Sequence, residues 1–181
     1  MPASAANVLQ FWFDEIEPAQ RWKKDPEFDA LIRDRFGETH GRAARGELHL
    51  WREQAPGALA EVIVLDQFSR NMFRDTAAAF ACDALALVLA QEAIRRGLDQ
   101  ELSTGQKSFL YMPFMHSESP YIHEQAVTVF SQPGLEDTLN FELKHKAIID
   151  RFGRYPHRNS MLGRESTAEE LAFLQEPGSS F

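Results

Sequence analysis

Apolar residues recur at three- and four-residue intervals along almost the whole chain, and the alternation of a half-buried strand is hard to find. That periodicity, broken at short intervals by cap and stop signals, confines the chain to an all-α fold. Ser4 caps a first short helix carrying Val8, Leu9, Phe11, Trp12 and Phe13. Asp25-Pro26 starts a second, in which Phe28, Ile32 and Phe36 form one stripe, with Gly37, Gly41 and Gly46 as alternative ends. Pro56 opens a third, with Leu59, Val62, Ile63, Leu65 and Phe68. Thr76 caps a fourth, rich in alanine and leucine, that stops at Arg95-Arg96-Gly97. Thr104 starts a fifth, interrupted at Pro113, and Ser119-Pro120 starts a sixth that ends at Pro133-Gly134. The seventh runs from about Leu135 to Phe152 with Leu139, Leu143, Ile148 and Phe152 on its apolar side. Two overlapping capping boxes in Ser166-Thr167-Ala168-Glu169-Glu170 open a last short helix.

Seven or eight helices with short connections predict stacked antiparallel helix hairpins, a tetratricopeptide-like α-α superhelix, in a single helical domain over residues 1–181. One internal echo exists, Ile32-Arg33-Asp34-Arg35-Phe36-Gly37 against Asp150-Arg151-Phe152-Gly153. Its separation fits no standard repeat, so it reads as a shared way of ending a helix.

The charge balance narrows the partners. Nineteen basic against twenty-seven acidic residues give a net charge of −8, which argues against a sequence-independent grip on nucleic acid. The single cysteine, Cys82, has no disulfide partner and sits in an apolar helix without a local base, so it reads as packing. No basic segment followed by an apolar run opens the chain, and no apolar stretch approaches the roughly 18 residues of a membrane span. The nearest, Ala77 to Ala90, contains Asp83. These features predict a cytoplasmic protein with neither a nucleic-acid nor a membrane partner. No phosphate-binding glycine loop or paired-cysteine site is present, and His123-Glu124 lacks the second histidine of the zinc-protease motif, having Val127 there. No metal or cofactor is expected.

Three polar blocks are candidates for chemistry. Arg151 to Arg164 holds Arg151, Arg154, Arg158 and Arg164 with His157 and Asn159 and no acid, inside an acidic protein. Gly153 and Pro156 make it a loop, and guanidinium groups suit bidentate capture of carboxylate or phosphate. The alternative is that these arginines complement the helix dipole and pair with nearby acids. The second block is Asp66, Arg70 and Asn71, in which Asp66 and Arg70 have the spacing of an intrahelical ion pair. Arg70 and Arg74 repel at the same spacing unless an acid or anion lies between them. The third is His116 with Glu118, where His116 can serve as a general base. His145, with Glu142 one turn before it, reads as a hydrogen-bonded core histidine and joins the candidate set.

Leu65 to Asn71, Met112 to Glu118 and Arg151 to Asn159 together resemble an uncharacterised bacterial family, a domain of unknown function. Trp22 with Asp25, Phe28 and Asp29, and the closing Leu162 to Thr167, are similar to it too. The resemblance implies a tetratricopeptide-like helical fold and no catalytic residue, reaction or cofactor. The leading expectation is a helical-repeat-like protein with an Arg/His/Asn-lined groove for a small anionic ligand or an acidic peptide. The alternative is an enzyme with His116 or His157 as general base and arginines stabilising an anionic substrate. A third reading makes all three blocks structural ion-pair networks.

Overall fold

The computed structural model describes residues 2–180, all of whose regular structure is helical. The helices are α1 (Ala5–Gln10), α2 (Pro26–Ala44), α3 (Ala55–Ile63), α4 (Ser69–Met72), α5 (Asp83–Arg95), α6 (Thr104–Met115), α7 (Pro120–Phe130), α8 (Glu136–Phe152) and α9 (Ala168–Phe173). Their contacts gather into two compact units, residues 1–74 with 78–113 and residues 75–77 with 114–181.

In the first unit the Ser4 and Asp25 start signals are in place, whereas the helix expected from Thr76 begins only at Asp83, behind a 3-10 turn over Ala77–Phe80. The Ser4 and Asn7 side chains close a capping box on α1, and Asp25 accepts from the Glu27 and Phe28 N–H groups at the head of α2. None of the glycines of α2 stops it at Gly37. The helix runs on to Ala44, and the left-handed residue past it is Gly46. The echo with Asp150-Arg151-Phe152-Gly153 is therefore one of sequence only, because Gly153 does end its helix in the left-handed region and Gly37 does not. Helix α3 continues into a π-turn over Val64–Phe68 before α4, and that extra width turns Asp66 and Gln67 inward with Leu65 and Phe68. The core is aromatic: the Phe36 ring packs at a tilt 5.0 Å from Phe11 and 4.8 Å from Phe68, and Trp12 meets Phe68 and Phe109 edge-on at 5.6 Å.

Two expectations need correcting here. Pro113 does not interrupt α6, which reaches Met115; the proline lies in the last turn, where it removes one backbone bond and leaves the rest. Residues Ala77–Arg95 do reach 19 residues, with a mean hydropathy of 1.6, so a stretch of spanning length and composition exists. The chain turns at Ala81 and Cys82, however, so Cys82 precedes α5 rather than lying in it. The 13 residues of α5 then cover about 20 Å at 1.5 Å each, short of a hydrocarbon core of about 30 Å.

In the second unit α7 and α8 form an antiparallel hairpin across the Ser131–Leu135 connection. The buried stripe of α8 is Glu142, His145, Ile148 and Ile149, whereas Leu143 is 47% exposed. The apolar pattern placed Leu143 inward, but it is rotated away because two polar residues take the inner face. Ile148, Ile149, Tyr155 and Phe173 make the core against which Phe152 packs, and the Thr167–Glu170 capping box starts α9.

Candidate functional site

The second unit collects four of the six histidines of the chain, and three of them, His123, His145 and His157, surround Tyr155. Gly153 ends α8 at φ +69, and the 3-10 turn Pro156–Arg158 follows, which sets the fully buried Tyr155 ring under the end of the helix. The rings of His123, His145 and His157 lie 6.2, 5.9 and 5.7 Å from it, and the Arg158 guanidinium stacks 4.6 Å from its centroid. The Arg158 Nη2 donates to the His116 carbonyl at 3.0 Å, which ties the turn to the segment ahead of α7.

Hydrogen bonding fixes most of the protons in this cluster. The Tyr155 hydroxyl donates to the Met115 carbonyl at 2.5 Å, so it is an acceptor towards His123 Nε2 at 3.3 Å. The Ser117 carbonyl, 2.8 Å from the same nitrogen, can only accept. His123 Nε2 therefore carries a proton. At the other ring nitrogen, Nδ1 meets Glu142 Oε1 at 2.6 Å, and one further proton is shared between them. Whichever atom holds it, the pair is neutral overall, which is how two ionisable groups with fully buried side chains can coexist. Burial is the largest influence on Glu142 and raises its pKa, with the His123 hydrogen bond pulling the other way. Among the described residues, no group hydrogen-bonds the second carboxylate oxygen, Oε2.

His145 is 5% exposed, and burial drives its pKa down to about 3. The Phe141 carbonyl at 2.7 Å from Nδ1 opposes that shift, and the nearby His116, His123 and His157 rings reinforce it. Its imidazole is thus neutral throughout the physiological range. The partner anticipated for it, Glu142, belongs to His123 instead.

The arginines of the same block find carboxylates. Arg164 forms a bidentate pair with Glu118 at 2.7 and 2.9 Å, and Arg154 forms one with Glu170 at 2.6 and 2.8 Å. Arg151 pairs with Glu169 at 2.9 Å on the exposed surface. Glu118 also accepts the Tyr155 N–H at 2.8 Å; burial would raise its pKa, but Arg164, that N–H and Arg158 hold it below the ordinary value. Asn159 donates to Ser166 and accepts from Arg164 Nε at 2.9 Å. Asp150 is taken by Lys146.

Asp66, Arg70 and Asn71 belong to the first unit and are likewise engaged. Arg70 contacts Asp66 at 3.2 Å, as the spacing predicts, and is held at 2.8 and 3.0 Å by Asp83. Asp29 accepts from Asn71 at 2.8 Å and from Arg74 at 2.5 and 2.8 Å. The repulsion expected between Arg70 and Arg74 is thus relieved by two separate acids. His40 Nε2 lies 2.8 Å from Ser69 Oγ, whose own proton goes to the Leu65 carbonyl at 2.6 Å, so the serine is not activated as a nucleophile. Among the described residues no group of three or more His, Cys, Asp and Glu side chains has the geometry to hold a metal ion.

His123, Glu142 and Tyr155 are central to this geometry and were absent from the candidate set. Helical spacing carried a signal for the first two: His123 shares a face of α7 with Ala126 and Phe130, and Glu142 shares one of α8 with His145 and Ile149.

No curated protein matches the chain. A solved structure, the protein of unknown function ATU0120 from Agrobacterium tumefaciens, is similar to it at 43% identity, over 94% of this chain and 96% of that one, with a TM-score of 0.90. The family described as "Bacterial protein of unknown function (DUF924)" matches residues 8–178. The three polar blocks and the helices that carry them are all inside that span, and the chain belongs to this bacterial family.

Proposed function

We propose that the second unit is the working part of the protein and provides an acid–base site for a small anionic ligand. The gathering of His123, His145 and His157 about Tyr155, with His116 close to His145, carries this reading. His116 and His157 are half-buried, and the fully buried His123 and Glu142 side chains share a proton between Nδ1 and Oε1. Titratable groups whose environments push their pKa values apart are the usual basis of acid–base assignment, and Glu142 raised beside His145 lowered fits that pattern.

The arginine-lined groove has less support than the histidines, since Arg70, Arg151, Arg154 and Arg164 are each matched by a carboxylate. Those arginines act as clamps that hold the loop after α8 and the π-turn. A tetratricopeptide-like stack of hairpins is the architecture this reading adopts, on the strength of the α7–α8 pair. A cytoplasmic location remains part of the reading, as does the lack of a nucleic-acid partner, which rests on the acidic charge.

The test is a titration of the histidine ring signals by NMR with inorganic phosphate and with citrate. The expected result is movement of the His116 and His157 signals with saturation in the millimolar range or below, abolished in His157→Ala and retained in Arg151→Ala. Ring signals unmoved by 20 mM of either anion would sink the proposal in favour of a purely structural network.

A further inference from the structure

The first unit contains an open groove of about 820 Å³, within the range of small-molecule sites and unrelated to any of the three polar blocks. Leu9, Phe13, Leu50 and Trp51 give it an apolar lining, and the exposed residues Asp14 and Glu53 line it too. No basic side chain lines it, although the same unit is rich in arginine. Leu50 is 64% exposed, so the apolar lining is uncovered there.

One wall is built to close tolerance. The 3-10 turn His49–Glu53, which carries Leu50, Trp51 and Glu53, lies flush on the start of α3. A Cβ on Gly57 would come within 2.0 Å of the Trp51 carbonyl oxygen, so only glycine admits this approach. The backbone of the turn is therefore held against α3 rather than forming a loose loop.

We infer that this groove binds an organic cation with an apolar body, an aryl- or alkyl-ammonium compound. The apolar part lies on Leu9, Leu50 and Trp51, and the ammonium group sits between the Asp14 and Glu53 carboxylates, within reach of the aromatic faces. An anion of the same size meets the two carboxylates, while the Arg21 guanidinium, 5.4 Å from the Phe13 ring, is engaged by the Trp12 carbonyl at 2.7 and 3.0 Å.

Three matched probes test this: 3-phenylpropylamine, 3-phenylpropanol and 3-phenylpropanoate, titrated to 20 mM against uniformly 15N-labelled protein. The amine is expected to shift the Trp51 indole and the Leu50 and Gln54 amides, three- to tenfold more tightly than the alcohol, with no binding by the carboxylate. Asp14→Asn and Glu53→Gln, both at exposed positions, should bring the amine down to the affinity of the alcohol and leave the alcohol unchanged. Equal binding of all three probes, shifts mapping outside the groove, or no binding of the amine at 20 mM would each overturn the inference.

Discussion

Replacing Glu170 by glutamine keeps the shape of the side chain and removes its charge. In the wild type that carboxylate takes both Arg154 bonds, the Thr167 N–H at 2.7 Å and a longer contact from Asn159 at 3.3 Å, while being 2% exposed. Arg154 is the largest cause of a pKa lowered from the ordinary 4.5 to about 2. At about 1.4 kcal/mol for each tenfold change in acidity, the full displacement corresponds to about 3 kcal/mol. Arg154 is 29% exposed, so solvent screening reduces this to about 2 kcal/mol at pH 7. With an m-value of about 2 kcal/mol per molar urea, Glu170→Gln should lower the unfolding midpoint by about 1 M. The sign with pH follows from the lowered pKa: the stabilisation is complete above 4.5 and is lost as pH falls towards 2, with less than half remaining at about pH 3. Urea unfolding of both proteins at pH 7 and pH 3 measures it. A midpoint difference below about 0.2 M at pH 7, or one of equal size at both pH values, would refute the assignment of this carboxylate as the organiser of the α8–α9 loop.

Two further outcomes follow from the same physics. His145 has its pKa lowered to about 3, so its burial stabilises the fold above about pH 6.5 and ceases to as pH falls towards 3. His145→Gln should therefore flatten the loss of stability between pH 7 and pH 5 by about 2 kcal/mol, and an unchanged pH profile in urea unfolding would count against a neutral buried imidazole. Arg52 holds the fully buried Glu61 through two bonds of 2.7 Å, so Arg52→Ala should cost about 3 to 5 kcal/mol by stranding a charge in the first unit. Adding Glu61→Leu should recover most of that loss in thermal melts; a double variant no more stable than the single one would contradict the reasoning.

Local chemistry determined the helical class and most helix starts, since a cap bond needs only residues a few positions apart. Ser4, Asp25 and Thr167 act as their side chains require, and Gly153 ends α8. The spacing of Asp66 and Arg70 likewise announced their contact. Tertiary structure decided the fate of the other charges. Arg154 finds Glu170 sixteen residues away, Arg164 finds Glu118 forty-six away, and Asn71 finds Asp29 forty-two away. A run of arginines without a neighbouring acid looks basic in one dimension, yet folding brings the acids from elsewhere in the chain. The face of α8 was decided in the same way, because Glu142 turns inward only where His123 of α7 meets it. Sequence separation carries no record of such pairings; burial makes them obligatory, since a charge taken out of water must find a partner or give up its proton.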